Sequence, residues 1–326
     1  MQPAGSGEAP VGEESVSEAS DITATAEPMR PGLMVQAVRA WSLPTSVVPA
    51  AAGGLVAIDN GHASWWLLPI ALFALLLLHA GVNVSNDVED AARDADPPDK
   101  DRNSGLFNTG RLTITTGRRL YGGCFLAAVL LGFGICAVQG PALLVIGWVG
   151  LFGGLLYTAG PLPYKYLGLG ETMIVLLMGP LITLGTFTSV TGRTFAAAAF
   201  WVGLGPGLLI AGVLAANNLT DLIIDTTAGA RTLAVRIGFE PARALYLGLL
   251  AATLLAQVAL WASGLFGPWI LLPLLATPAL AGCARLALSA RQAGDPALLP
   301  LTPSTGQAHL WFSLLLVAGV VLDRVT

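Results

Sequence analysis

The chain has 326 residues, of which 54% are hydrophobic and only 11% are charged. A water-soluble domain usually has about a quarter charged residues, so the composition excludes an ordinary soluble domain and indicates an integral membrane protein. The net charge of −4 gives no indication that the protein binds nucleic acid.

Residues 1 to 30 are polar, acidic and rich in Ala, Ser, Gly and Pro. Such a segment has too little apolar surface to offset the entropy of ordering, so we predict a disordered tail ahead of one domain at residues 31 to 326. A membrane-spanning helix needs about 20 mostly apolar residues. The sequence predicts an all-α bundle of nine such helices, at residues 33 to 58, 64 to 84, 119 to 138, 141 to 158, 171 to 191, 195 to 217, 241 to 263, 268 to 289 and 307 to 323.

The distribution of Lys and Arg predicts the orientation of this bundle. Short cytoplasmic loops are enriched in these residues. Of the 16 cationic residues, 14 lie near the start of the first segment or in and beside the loops after even-numbered segments. The two exceptions are Arg193 and Arg324. We therefore expect a cytoplasmic N-terminus, in a membrane of the bacterial inner-membrane type.

The first acidic cluster, NDVEDAARD at residues 86 to 94, directly follows the second apolar segment. Asp87, Asp90 and Asp94 are three or four residues apart, so on a helix they form a column on one side, with Asn86 beside it. Crowded carboxylates repel one another unless a cation neutralises them. His79 and Asn83 continue the same column into the membrane, and we interpret His79 as a packed structural residue.

The second cluster follows the sixth segment, where Asn217, Asp221 and Asp225 are four residues apart and share a helix face. By the orientation above, both columns emerge on the cytoplasmic side and could oppose each other. Two oxygen-rich columns suit Mg²⁺, which takes one or two carboxylates and completes its shell with water and phosphate oxygens. A solvated acidic loop is the ordinary alternative for one cluster, but two clusters at helical spacing favour a site.

Cationic residues lie near both columns. Lys165 is in the loop after the fourth segment, Arg231 and Arg236 follow the second column, and Arg93 and Arg102 flank the first. Metal ions together with guanidinium groups stabilise the charge that develops on a departing diphosphate. The pattern therefore indicates cleavage of a bond between carbon and diphosphate.

The paired motifs, N-D-x-x-D-x-x-x-D and D-x-x-x-D, together with nine apolar segments, resemble the UbiA-type intramembrane prenyltransferases. Within that superfamily, AVRAWSLPTSVVPAAAG, YTAGPLPYKYLGLGE and NNLTDLIIDTTAGARTLAVRIG are similar to segments of the 1,4-dihydroxy-2-naphthoate polyprenyltransferases of menaquinone synthesis. That branch usually has arginine before the second motif and lysine before the later arginine. Here these places hold Thr220 and Ala230, and DPPDKDRNSGLFNTGRLT also departs from the pattern.

The resemblance implies a fold, substrates and roles for individual residues. It implies a nine-helix UbiA fold, a polyprenyl diphosphate donor, an aromatic acceptor, Mg²⁺ as cofactor and a lipid environment. The implied Mg²⁺ ligands are Asp87, Asp90, Asp94, Asp221 and Asp225. The implied diphosphate-binding residues are Asn86, Asn217, Lys165, Arg231 and Arg236, and the aromatic rings for the developing carbocation are Tyr157 and Tyr164.

Other functions are compatible with the same motifs. A UbiA-type terpene cyclase would ionise the same donor and close the chain on itself, and a divergent relative would use another aromatic acceptor. A transporter or lipid-binding membrane protein would use the acidic loops only to hold a cation. We expect transfer to an aromatic ring, namely a naphthoate.

Overall fold

The computed structural model describes residues 27–59, 61–92, 105–159 and 163–326, and within these ranges the secondary structure is helical, with no β-strand. Residues 1–26 lie outside the described residues, so the tail remains a prediction. Glu27 is described, and it accepts a hydrogen bond of 2.8 Å from Arg111 Nε. This bond lowers the pKa of the exposed Glu27 carboxyl.

The α-helices are α1 (Pro31–Ala37), α2 (Pro44–Leu55), α3 (Leu67–Ala91), α4 (Ile114–Gln139), α5 (Ala142–Leu155), α6 (Gly170–Leu176), α7 (Ile182–Thr191), α8 (Ala197–Trp201), α9 (Leu204–Thr220), α10 (Leu222–Thr227), α11 (Leu233–Ile237), α12 (Phe239–Ala262), α13 (Thr277–Ser289) and α14 (Leu301–Val325).

Seven helical segments in the described part of the chain are long and apolar enough to cross a membrane. They correspond to the second, third and fifth to ninth predicted segments. Several are composite, because short helices follow one another directly or after two residues of turn. The seven are Leu67–Ala91, Ile114–Gln139, Gly170–Thr191, Ala197–Thr220, Phe239–Ala262, Pro268–Ser289 and Pro296–Val325.

The first predicted segment, residues 33 to 58, is not one helix. Helix α1 ends at Ala37, and Arg39 then has a φ of 51°. A left-handed residue cannot continue a right-handed α-helix, and Pro44, which starts α2, has no N–H group for a bond to the preceding turn. The break at residues 38–43 therefore separates two short helices.

The fourth predicted segment, residues 141 to 158, is also shorter than expected. Helix α5 has 14 residues, which span about 21 Å at roughly 1.5 Å per residue. The chain then turns at residues 156–159 toward the end of α3. The described residues thus confirm an all-helical membrane fold with seven long spans, and the predicted number of nine is not confirmed.

The end of α3 differs from the prediction in a way that affects the first acidic column. The second predicted segment ended at residue 84, where the apolar run stops, but the helix continues to Ala91. Asp87 and Asp90 therefore lie on the spanning helix itself, within its last two turns, and both side chains are buried. Asp94 lies outside the described residues.

Glycines bring α9 against the segment formed by α6, a π-helical turn at Leu177–Leu181 and α7. A Cβ added at Gly207 would lie 2.5 Å from the carbonyl oxygen of Val175, and one added at Gly179 would lie 2.6 Å from that of Gly203. Small residues let spanning helices approach through backbone contact. This crossing fixes α9, which ends in the second acidic column, against the wall formed by α6.

Candidate active site

A cavity of about 1060 Å³ lies between α2, α3, α5, α6, α9 and the first turns of α14. Its lining changes in character along α3. Leu75 and Leu78 line its apolar part, and Asn83 and Asn86 line it close to the first acidic column. The end of the cavity nearest the aspartates is therefore polar, and the remainder is mostly apolar.

The lining along α9 changes in the same direction. Ile210 and Leu214 are apolar, and Asn217, one turn before Asp221, comes next. Asn86 and Asn217 thus face one cavity, although they belong to motifs more than a hundred residues apart. One asparagine from each motif therefore lines the same cavity, whereas the described aspartates and Lys165 are not part of its lining.

Each described aspartate of the first column lies against a cation. Arg39 Nε donates to Asp87 Oδ2 over 3.3 Å, and a second guanidinium nitrogen contacts Asp87 Oδ1. Lys165 Nζ donates to Asp90 Oδ2 over 2.6 Å. A buried carboxylate is costly unless an opposite charge compensates it. The pairing of Lys165 with Asp90 brings together two residues that the sequence assigned to one site.

The sequence interpretation gave Arg39 no role beyond its charge, so the structure adds it to the site. Asn83 Nδ2 donates to the carbonyl of Val38 and to Ser42 Oγ, both over 2.9 Å. These bonds tie the break between α1 and α2 to α3, and Arg39 lies in that break with its positive φ. A cation within an apolar segment is rare and commonly functional, and this signal was available in the sequence.

His79 has the structural contact that the sequence favoured. Its Nδ1 lies 2.8 Å from Ser46 Oγ on α2, and its ring lines the cavity one turn before Asn83. It holds α2 against α3, and Asn83 holds the preceding break against the same helix. We therefore place it in the wall of the cavity.

The second column keeps its four-residue spacing, but its helix is interrupted. The N–H of Asp221 donates to Asn217 O over 3.0 Å, and the N–H of Asp225 donates to Asp221 O over 2.8 Å. However, α9 ends at Thr220 and α10 begins at Leu222. Asp221 therefore lies at the junction of the two helices and Asp225 lies within α10. Both aspartates are buried.

Tyr157 and Tyr164 form part of the cavity wall. Their rings meet edge to face with centroids 5.4 Å apart, and Tyr164 Oη donates to Gly153 O over 2.6 Å. Burial raises the pKa of Tyr164, so its hydroxyl stays protonated and keeps this bond. Thr158, beside Tyr157, donates its hydroxyl to Asn86 Oδ1, which joins this segment to the first column.

Arg231 and Arg236 lie farther out. Both are exposed, and Arg236 Nε donates to Arg231 O over 3.2 Å. A Cβ at Gly168 would lie 3.4 Å from Arg236 Cδ, so Arg236 packs beside the segment that carries Lys165. Neither arginine lines the cavity, and Arg93 and Arg102 lie outside the described residues.

Glu171 and Asn218 form a buried pair that the sequence interpretation missed. Asn218 Nδ2 donates to Glu171 Oε1 over 2.9 Å, and the bond joins the first turn of α6 to α9. Asn218 is the neighbour of Asn217, so the bond fixes the rotation of α9 that directs Asn217 at the cavity. A carboxylate in an apolar segment indicated a buried partner, but the sequence could not indicate which one.

We expect Glu171→Ala to lower the stability of the protein by about 1–3 kcal/mol, because the buried amide of Asn218 loses its acceptor. Glu171→Gln keeps an acceptor oxygen and should remain close to wild type. Thermal denaturation in detergent measures both variants. Equal losses in the two, or no loss in Glu171→Ala, would contradict the role of this bond.

A family model, the UbiA prenyltransferase family, matches residues 46–301, which contain both acidic columns and most of the cavity wall. The chain belongs to the UbiA prenyltransferase family. This UbiA protein is 33% identical over 298 residues to the 1,4-dihydroxy-2-naphthoate octaprenyltransferase of Mycobacterium tuberculosis. The match covers 90% of this chain and 98% of the relative. It is 28% identical to the Escherichia coli protein of the same name over 299 residues, 89% of the chain and 95% of the relative.

The fold agrees with solved members of the UbiA family. A UbiA homolog from Archaeoglobus fulgidus bound to GPP and Mg²⁺ has a TM-score of 0.60 and 15% sequence identity, with 87% of this chain and 99% of that chain covered. A digeranylgeranylglyceryl phosphate synthase has a TM-score of 0.56 over 90% and 98% of the two chains, at 14% identity. Together with the seven long apolar helices, the family makes this protein an integral membrane prenyltransferase.

Proposed function

We propose that this UbiA enzyme transfers a polyprenyl chain from its diphosphate to 1,4-dihydroxy-2-naphthoate in menaquinone biosynthesis, with Mg²⁺ as cofactor. One observation carries the proposal. A single cavity has asparagines from both acidic motifs at one end, and apolar side chains make up most of the rest of its lining, which suits a donor with a charged head and an apolar tail. The names of the bacterial relatives support the naphthoate as acceptor.

The donor set of the two motifs fits Mg²⁺. Asp87, Asp90, Asp221 and Asp225 are buried and offer only hard oxygen ligands, which Mg²⁺ prefers. Within the described ranges, no three His, Cys, Asp or Glu side chains converge into a metal-binding group, so water and substrate oxygens would have to supply the remaining ligands. Asp94 would extend the first column. When bound, Mg²⁺ would neutralise the diphosphate and favour its departure.

The cationic residues would assist the departure of the diphosphate. Arg39 and Lys165, held next to Asp87 and Asp90, lie where they could donate hydrogen bonds to the leaving group. Thr220, in the place where the related branch has arginine, donates its hydroxyl to Ala216 O over 2.8 Å and brings no charge. The compensating charge would therefore come from the side of the first column, with Arg231 and Arg236 contributing from the edge.

The remaining residues would protect and direct the reaction. As the carbon to diphosphate bond breaks, positive charge develops on the allylic carbon, and the rings of Tyr157 and Tyr164 can stabilise it through their faces. The acceptor ring carbon then forms the new bond and later loses its proton. The apolar wall excludes water, which would otherwise capture the cation.

The same proposal includes the arrangement in the membrane. We place α2 and α5 among the spanning elements beside the seven long helices, which gives nine, with a cytoplasmic N-terminus and the aspartates at the cytoplasmic surface of a bacterial-type inner membrane. The distribution of Lys and Arg supports this orientation. The short lengths of α2 and α5 would require neighbouring turns to complete the crossing.

One assay tests the proposed function. Purified protein in lipid is incubated with Mg²⁺ and geranyl, geranylgeranyl or octaprenyl diphosphate, with and without 1,4-dihydroxy-2-naphthoate, and the organic extract is analysed by mass spectrometry. We expect a prenylated naphthoate that forms only when Mg²⁺ and both substrates are present. A terpene formed without acceptor would indicate a cyclase instead, and intact diphosphate under every condition would contradict prenyl transfer to this acceptor.

A further inference from the structure

A second cavity, of about 150 Å³, lies between α3, α4, α5 and α7. Its lining is apolar apart from a few small polar groups, which are bonded within the protein. Thr186 Oγ1 donates to Ala50 O over 2.6 Å, and Ser189 Oγ donates to Gly185 O over 2.7 Å. The cavity therefore offers mainly apolar contact to a ligand.

The second cavity adjoins the first. Five residues form part of both linings, namely Leu75, Leu78, Gly150, Leu181 and Ile182. The two cavities therefore share a boundary along α3, α5 and the start of α7, which we call the junction. This junction lies away from the polar end of the active-site cavity, since Leu78 precedes Asp87 by nine residues, or about 14 Å of helix.

A glycine lies at the junction. A Cβ added at Gly150 would lie 3.7 Å from Leu78 Cδ2 and 3.8 Å from Leu181 Cδ2. These are ordinary contact distances, so the backbone tolerates a side chain there, and that side chain would fill space at the junction. Gly147, one turn earlier on α5, lines the second cavity alone and has no atom within 4 Å of an added Cβ.

We propose that the second cavity binds the distal isoprene units of a long prenyl donor, so that the passage at Gly150 sets the chain length that the enzyme accepts. The inference rests on the proposed function. The diphosphate, the acceptor and the proximal units would share the first cavity, and a short chain would end before the junction. A long chain would reach the junction, where the continuous apolar lining offers it further burial.

Gly150→Leu tests the proposal. Wild type and variant are compared in kcat/KM with geranyl and with octaprenyl diphosphate at saturating 1,4-dihydroxy-2-naphthoate. We expect the variant to lose about tenfold or more with the octaprenyl donor and to change little with the geranyl donor. The matched control is Gly134→Leu on α4. A Cβ added at Gly134 meets no atom within 4 Å, and the residue lines neither cavity. The donor preference of this control should equal that of wild type.

Two further measurements keep the proposal decidable. If Gly150→Leu fails to fold and loses both donors, Gly147→Leu replaces it, and the same selective loss is expected. In addition, octaprenyl diphosphate with a photoreactive group on its last unit should crosslink to Ala142–Leu155 in the wild-type protein.

The outcomes separate this inference from the proposed function. The role of the second cavity would be overturned by an unchanged donor preference in the folded variant, or by crosslinks confined to residues 299–310 of the first cavity. Neither result would contradict the proposed function. A wild-type protein that transfers neither chain would overturn the proposed function, and this inference with it.

Discussion

Asp87→Ala and Asp221→Ala should each reduce turnover by about a thousandfold, because each removes a carboxylate that the proposed mechanism needs to position the diphosphate and compensate its charge. The two residues come from different motifs, and both are buried beside a cavity that their neighbouring asparagines line. Asp87→Asn keeps the shape of the side chain and should show a similar loss. Product formation with saturating donor and acceptor is the measurement, with gel filtration in detergent to verify folding.

Glu89→Gln is the matched control for these variants. Glu89 lies in the same motif and on the same helix as Asp87, but its carboxylate accepts hydrogen bonds of 3.1 Å from Arg118 and from Tyr121 on α4. It therefore faces another helix instead of the cavity, and we expect near-normal turnover. Near-normal turnover in both Asp87→Ala and Asp221→Ala would refute the mechanism, whereas a loss in Glu89→Gln as large as theirs would show that any charge in the motif matters.

Gly207→Leu should have the largest effect on stability, with a loss of about 3 kcal/mol or more. Even its Cβ would lie 2.5 Å from Val175 O and 2.9 Å from Gly179 Cα. These are backbone atoms, so no side-chain rotation relieves the overlap, and α9 must move away from α6. We expect a lower midpoint of thermal denaturation in detergent and reduced recovery of folded protein.

Gly248→Leu provides the comparison for this effect. Gly248 lies on the exposed side of α12, and a Cβ added there meets no atom within 4 Å. The same chemical change should therefore leave the midpoint close to that of wild type. A Gly207→Leu protein as stable as Gly248→Leu would show that the close crossing of α6 and α9 contributes little to the fold.

Hydropathy was sufficient to locate the long helices but not their polar ends. The run of apolar residues before Asn86 stops near residue 84, yet α3 continues to Ala91, because Asp87 and Asp90 are compensated by Arg39 and Lys165 rather than by water. Such compensation depends on tertiary contacts with other segments. The break at Arg39 was missed for another reason. The apolar residues on both sides of it gave one continuous hydropathy signal.

Helical spacing predicted which residues of each motif share a face, and this part of the site could be inferred from sequence. Asn86 and Asn217 line one cavity, although spacing within a motif contains no information about the distance between motifs. The predicted orientation, which puts both motifs on one side of the membrane, supplied the expectation that they oppose each other. The pairs between distant elements, Arg39 with Asp87 and Glu171 with Asn218, required the packing of α1, α6 and α9 to be known.

The short helix Ala142–Leu155 has a consequence for the surrounding lipid. Its length of about 21 Å is less than the roughly 30 Å of a typical hydrocarbon core. Under the proposed arrangement α5 spans the membrane, and an element this short would create hydrophobic mismatch, which lipids relieve by thinning locally. Because α5 also forms the wall at Gly150, the acyl-chain length of the host membrane should influence how far a long isoprenoid can settle beside it.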